Sequence, residues 1–99
     1  MTELEFLEIV EALCKHPGLY TPTASFYEAA SFLEGFGIGA DVGPRQFHSA
    51  MTPFLIWLAH QLKTGEKIIE WTKFRERFSN DQEAFDNLLH LYSEYVEDE

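Results

Sequence analysis

Apolar residues recur at helical spacing in separate stretches of this chain, and most stretches carry their own start and stop signals. In the first, Phe6, Ile9, Val10 and Leu13 fall on one helical face, with Glu8, Glu11 and Lys15 opposite. Thr2 followed by Glu5 makes a capping box, Glu3 and Glu5 suit the positive end of the helix dipole, and Pro17-Gly18 stops the helix. Leu19 to Thr23 is a short connection. A second box, Ser25 with Glu28, opens a helix whose buried stripe is Phe26, Ala29, Ala30 and Leu33. Gly35 marks its end, Gly37 and Gly39 follow, and Gly37 to Pro44 reads as a flexible loop carrying Asp41.

The third stretch has almost no polar face. Phe54, Leu55, Ile56, Trp57, Leu58, Ala59 and Leu62 require neighbours on most sides, which makes this the expected central helix. Thr52-Pro53 resembles an N-cap followed by proline at the first helical position, although Phe47 to Met51 could form an earlier turn joined by a kink. Thr64-Gly65 ends it. In Ile68 to Phe78, Trp71, Phe74 and Phe78 fit a helix, while Lys67 to Glu70 could be extended. Ser79 or Asn80 caps the last helix, whose inner face is Phe85, Leu88, Leu89, Tyr92 and Val96. Its outer stripe is Glu83, Asn87, His90, Glu94 and Glu97, with Asp86 beside it, and Glu97-Asp98-Glu99 is expected to fray. The pattern predicts an all-α fold, a single compact domain over residues 1–99 with about five helical segments packed around the hydrophobic third helix.

Ninety-nine residues are enough for one core, burying roughly two-thirds of the unfolded surface. Nine Phe, four Tyr and two Trp supply the material for it. A single cysteine, Cys14, excludes an internal disulfide and suits a reducing compartment. The opening Met1-Thr2-Glu3 lacks the basic start of a secretory leader, and the longest apolar run, Pro53 to Ala59, is too short to span a bilayer. A cytoplasmic location is expected.

Charge changes the picture most. Seventeen acids stand against seven Lys and Arg, for a net charge of −10. Residues 1–42 carry seven acids and one base, residues 43–78 three acids and six bases, and residues 79–99 seven acids and no base. Both ends would repel phosphate backbones and anionic membranes, so the composition argues against nucleic-acid and membrane partners and toward a basic protein.

Chemistry is hard to assemble from the remaining residues. His16, His48, His60 and His90 share no metal-ligand spacing, and Cys14 has no companion thiol, so no metal or cofactor is expected. Cys14 lies beside Val10 and Leu13 and is expected to be buried rather than nucleophilic. Ser49 follows His48 directly, and helical neighbours point apart. Gly35 to Ala40 matches G-x-G-x-x-A, but it follows a helix instead of a strand, which inverts the context of a dinucleotide-binding turn. Carboxylates such as Glu8 and Glu11, or Glu83 and Asp86, have no apolar pocket to tune them for acid–base work. The chain is therefore expected not to be an enzyme. Fourteen of its seventeen acids lie in the two terminal segments, and such self-repulsion is retained where a field is useful.

Lys15-His16-Pro17-Gly18-Leu19-Tyr20, then Ser25, Phe26 and Tyr27, then Phe32-Leu33-Glu34-Gly35-Phe36, resemble the opening pattern of immunity proteins found beside polymorphic and contact-dependent growth inhibition toxins. Trp57, Trp71 and the helix start Asp81 to Asp86 are similar to that group in order and spacing, with Phe36 where tyrosine is frequent. The resemblance implies a cytoplasmic inhibitor that binds its cognate toxin's C-terminal domain one-to-one. Toxins of this kind are often basic nucleases, here with an RNase favoured, and their active sites would be blocked by stoichiometric occlusion. On that reading the toxin-binding residues are Glu83, Asp86, His90, Glu94 and Glu97 on the last helix, Asp41, and an aromatic anchor from Tyr20 or Tyr27. Either tyrosine could equally be a core residue with its hydroxyl satisfied. The alternative is an acidic regulatory or adaptor protein, or a nucleic-acid mimic, with no toxin partner.

Overall fold

The computed structural model describes residues 2–39 and 49–98. Helix α1 spans Glu3–Lys15 and opens with the expected reciprocal cap: Glu5 N–H donates to Thr2 Oγ1 and Thr2 N–H donates to Glu5 Oε1, both at 3.1 Å. Its buried face is Phe6, Val10, Leu13 and Cys14. Pro17–Leu19 then forms a 3₁₀ turn.

Helix α2 spans Phe26–Gly39. Its N-terminus is capped by Ser25, whose Oγ accepts from Glu28 N–H at 3.2 Å. The Glu28 carboxylate reaches back to Thr23, accepting from its N–H at 2.9 Å and from its hydroxyl. The expected stop at Gly35 is incorrect, because α2 continues for another turn. Gly37 explains why glycine stands there: a Cβ on it would lie 2.7 Å from Ser49 Oγ and 3.1 Å from Ala50 N. Ala50 N–H donates to Gly37 O at 3.2 Å, so the glycine admits the start of the next helix instead of ending its own. Asp41, the rest of the expected loop to Pro44, Phe47 and His48 lie outside the described residues.

Helix α3 spans Met51–Gln61. Thr52, expected as its N-cap, lies within the first turn; Ala50 stands at the N-cap without a side-chain capping bond, and Ser49 Oγ accepts from Met51 N–H at 3.2 Å. Pro53 also sits in that turn, where its missing N–H leaves no intrahelical bond unmade. Met51, Phe54, Leu55, Leu58 and Ala59 are buried, and Ile56 is 39% exposed. Residues 66–70 are not helical; Ile69 is buried and its N–H donates to Leu55 O at 3.4 Å. Helix α4, Trp71–Arg75, follows. Arg75 closes the turn into the last helix, donating from Nε to Asp81 Oδ1 at 2.6 Å and from an η nitrogen to Phe78 O at 2.9 Å.

Helix α5 spans Asp81–Glu97, with Asn80 Oδ1 accepting from Glu83 N–H at 2.8 Å. Ala84, Phe85, Leu88, Tyr92 and Tyr95 are buried, whereas Leu89 and Val96 are half-buried. Phe6 packs on Tyr92 with ring centroids 5.8 Å apart, while Asp86 acts electrostatically on Cys14 at the far end of α1. The two helices therefore run antiparallel. Although α3 is the most continuously apolar helix, α2 and α5 are the two that each touch all four others, and α5 packs most extensively on α1. The inner face of α5 meets Phe26 through Phe85 at 5.4 Å and Phe54 through Tyr92 at 5.0 Å. Just after α5, Asp98 Oδ2 accepts from Trp57 Nε1–H at 3.0 Å.

The result is an all-α globule of five helices, with no strand among the described residues. Its radius of gyration, 12.6 Å, matches the roughly 13 Å of a compact chain this long. No helix among the described residues is long and apolar enough to cross a membrane.

Candidate protein-binding surface

The outer stripe of α5 follows from its phase. Residues at i, i+3, i+7, i+11 and i+14 share a face, and burial of Phe85, Leu88 and Tyr92 turns that face to solvent. Glu83, Asp86, His90, Glu94 and Glu97 are all exposed, as expected. From Glu83 to Glu97 the stripe runs roughly 21 Å at about 1.5 Å per residue. No lysine or arginine occurs on the helix to neutralise it.

Its members are not equally free to reach a partner. Glu83 Oε2 accepts from Ser79 N–H at 2.8 Å, so this carboxylate completes the helix cap. Asp86 Oδ1 accepts from Gln82 Nε2 at 2.9 Å. His90 Nε2 stands 3.0 Å from Glu94 Oε1, an exposed pair that becomes an ion pair only when the imidazole is protonated.

At the C-terminal end the stripe opens into a cleft of about 310 Å³ lined by Trp57, Gln61, Glu94, Glu97 and Asp98. Trp57 is held there by Asp98 and by ring contacts with Phe54 at 6.0 Å and Tyr95 at 5.5 Å. Trp57, Gln61 and Asp98 were not among the expected binding residues. Trp57 reads as part of an apolar run, and the only local signal of a wet edge is Gln61 one turn later on the same face.

Tyr20 and Tyr27 meet at a second place. Together with Pro22, Glu28, Ser31 and Phe32 they line an open groove of about 480 Å³. They remain 43% and 47% exposed, so neither is a core residue. The groove wall is built locally. The Thr21 Oγ1–H and N–H both donate to Pro17 O, at 2.9 and 3.0 Å, and Tyr20 N–H donates to the same carbonyl at 3.1 Å. Ala24 takes a left-handed φ of 58° to enter α2.

Cys14 is 3% exposed, and burial, with a smaller contribution from the Asp86 charge, pushes its thiol up to about 12. It is protonated at neutral pH and not nucleophilic. His16 and His60 are exposed and lie on different helices' edges. Among the described residues, no group of three or more His, Cys, Asp or Glu could hold a metal ion. Gly35 to Gly39 lies inside α2, not in a phosphate-cradling turn. The remaining ion pairs, Lys15–Glu11 at 3.6 Å and Lys73–Glu66 at 2.8 Å, are exposed and lie off α5. Exposed Lys63, Lys67 and Arg77 place the positive charge on the segment between α3 and α5.

No protein-family model, no curated protein and no solved structure matches this chain.

Proposed function

We propose that this protein is an immunity protein: a cytoplasmic, cofactor-free inhibitor that binds one copy of a basic toxin domain, a nuclease and by preference an RNase. The observation that carries the reading is the exposed stripe of α5 from Glu83 to Glu97, acidic at four of its five positions and free of lysine and arginine. It stands on a helix packed against all four others, so the core holds this surface in place. Acids in the last turn of a helix oppose the dipole, and the stripe thus carries a stability cost that a positively charged partner would offset. A nuclease site is basic because it holds phosphates, so carboxylates of this stripe would occupy the phosphate positions and exclude substrate. Opposite charge would also steer encounter, raising association toward about 10⁸–10⁹ M⁻¹s⁻¹ at low salt. The resemblance in Lys15 to Tyr20 and Phe32 to Phe36 supplies the toxin as partner.

The test uses Asp86, Glu94 and Glu97, leaving Glu83 intact because it caps α5. Stopped-flow mixing with the basic toxin domain encoded beside this protein should show fast, salt-sensitive association and loss of nuclease activity at one equivalent. Reversal of the three acids to lysine should slow association by on the order of tenfold or more at low salt and flatten its salt dependence. Full nuclease activity with excess protein present would end the reading. Unchanged association of the triple variant would move the interface off this face.

A further inference from the structure

The Tyr20–Tyr27 groove combines two features that one helical face does not: aromatic rings and an ionised carboxylate on a common wall. Tyr20 and Phe32 lie with centroids 5.7 Å apart and planes tilted by 55°, and Tyr27 lies about one and a half turns before Phe32 on α2. Glu28, which also lines the groove, is held below the usual carboxylate range by the hydroxyl and N–H of Thr23, so it is charged at neutral pH. Both Thr23 bonds fall on Oε1. Aromatic faces carry negative potential, and a cation placed against them is attracted more strongly when a carboxylate stands beside it.

We infer that this groove is a receptor for a cationic side chain, an arginine of a protein partner, seated against Tyr20, Tyr27 and Phe32 with Glu28 as counter-ion. The occupant follows from charge complementarity. Every lining side chain is neutral or acidic, and the phenol oxygens and the Ser31 hydroxyl offer acceptors to a guanidinium's donors. The receptor is preformed, because Thr21 is locked to Pro17 and Thr23 to Glu28, so little ordering is required on binding. The inference extends the reading that the partner is basic, and adds an aromatic anchor separate from the α5 stripe. No covalent step is involved.

The experiment needs no partner protein. The whole chain is titrated with N-acetyl-arginine methylamide, and separately with its uncharged citrulline counterpart, while the aromatic ring resonances are followed by NMR. The arginine probe should shift Tyr20, Tyr27 and Phe32 saturably, and citrulline should not. Glu28→Gln keeps the acceptor oxygen for Thr23 and removes only the charge. It and Tyr27→Ala should each weaken binding about two- to fivefold, with the rest of the spectrum unchanged. Equal shifts from citrulline, shifts confined to α5, or no saturable shift of these rings would each overturn the inference. A failed groove with an active α5 stripe would remove this anchor alone, and a binding groove without toxin protection would remove the proposed function alone.

Discussion

The indole Nε1–H of Trp71 donates to Glu34 Oε1 at 2.9 Å, joining residues 37 positions apart and tying α4 to the middle of α2. A helix of five residues cannot hold itself in water, so α4 depends on such tertiary ties. Arg75 adds its bond to Asp81, and aromatic contacts add to both: Phe26 meets Trp71 edge-on at 5.9 Å and stacks on Phe74 at 5.8 Å. Trp71→Phe keeps most of the ring packing and loses the bond. A double-mutant cycle with Glu34→Ala, read by urea unfolding, should give a coupling of about 1 kcal/mol. Additive single effects would show that solvent screens the pair.

The two glycines near the end of α2 should respond to alanine with opposite sign. Nothing lies within 4 Å of a Cβ at Gly35, so Gly35→Ala should raise stability by about 0.5–1 kcal/mol through helix propensity. At Gly37 a Cβ would stand 2.7 Å from Ser49 Oγ. Ser49 is not free to turn away, since it donates to Glu34 O at 3.4 Å and accepts from Met51 N–H at 3.2 Å. Gly37→Ala should therefore cost about 1–3 kcal/mol. Thermal unfolding of the two variants compares them directly.

Cys14 makes stability depend on alkaline pH. Burial raises the thiol from 9.0 to about 12, so the folded state favours the protonated form. That preference is fully present below pH 9.0 and is lost as pH rises toward about 12, because the unfolded chain can then release a proton that the folded one retains. Native protein should react with a thiol-directed reagent at pH 8 only as fast as it opens, and denaturant should release the full rate. Prompt labelling of the native protein would contradict the burial.

Two acids on the same stripe should separate by their structural duties. Glu83→Ala removes the acceptor for Ser79 N–H and a favourable charge at the helix start, which should cost about 1 kcal/mol. Asp86→Ala, exposed and bonded only to Gln82, should stay within about 0.5 kcal/mol of the parent. Equal losses in chemical denaturation would assign the effect to net charge instead of to the cap.

Local signals in the sequence determined much of this protein. Thr2 with Glu5, Ser25 before Glu28 and Asn80 before Glu83 set three helix starts within one turn of chain, and periodic apolar residues set the inner faces of α1, α2 and α5. The exposed acidic stripe followed, because a helix that buries Phe85, Leu88 and Tyr92 must turn Glu83, His90 and Glu97 outward. The end of α2 was decided elsewhere: Gly37 serves a contact with Ser49 and Ala50 that is invisible from its neighbours, so propensity alone placed the stop too early. The choice of α2 and α5 over α3 as the helices that meet all the others, the bond from Trp57 to Asp98, and the meeting of Tyr20 with Tyr27 in one groove were also tertiary decisions. Their physical reason is shared. Caps and stripes arise from interactions within a few residues, whereas each of these depends on how one helix is laid against another.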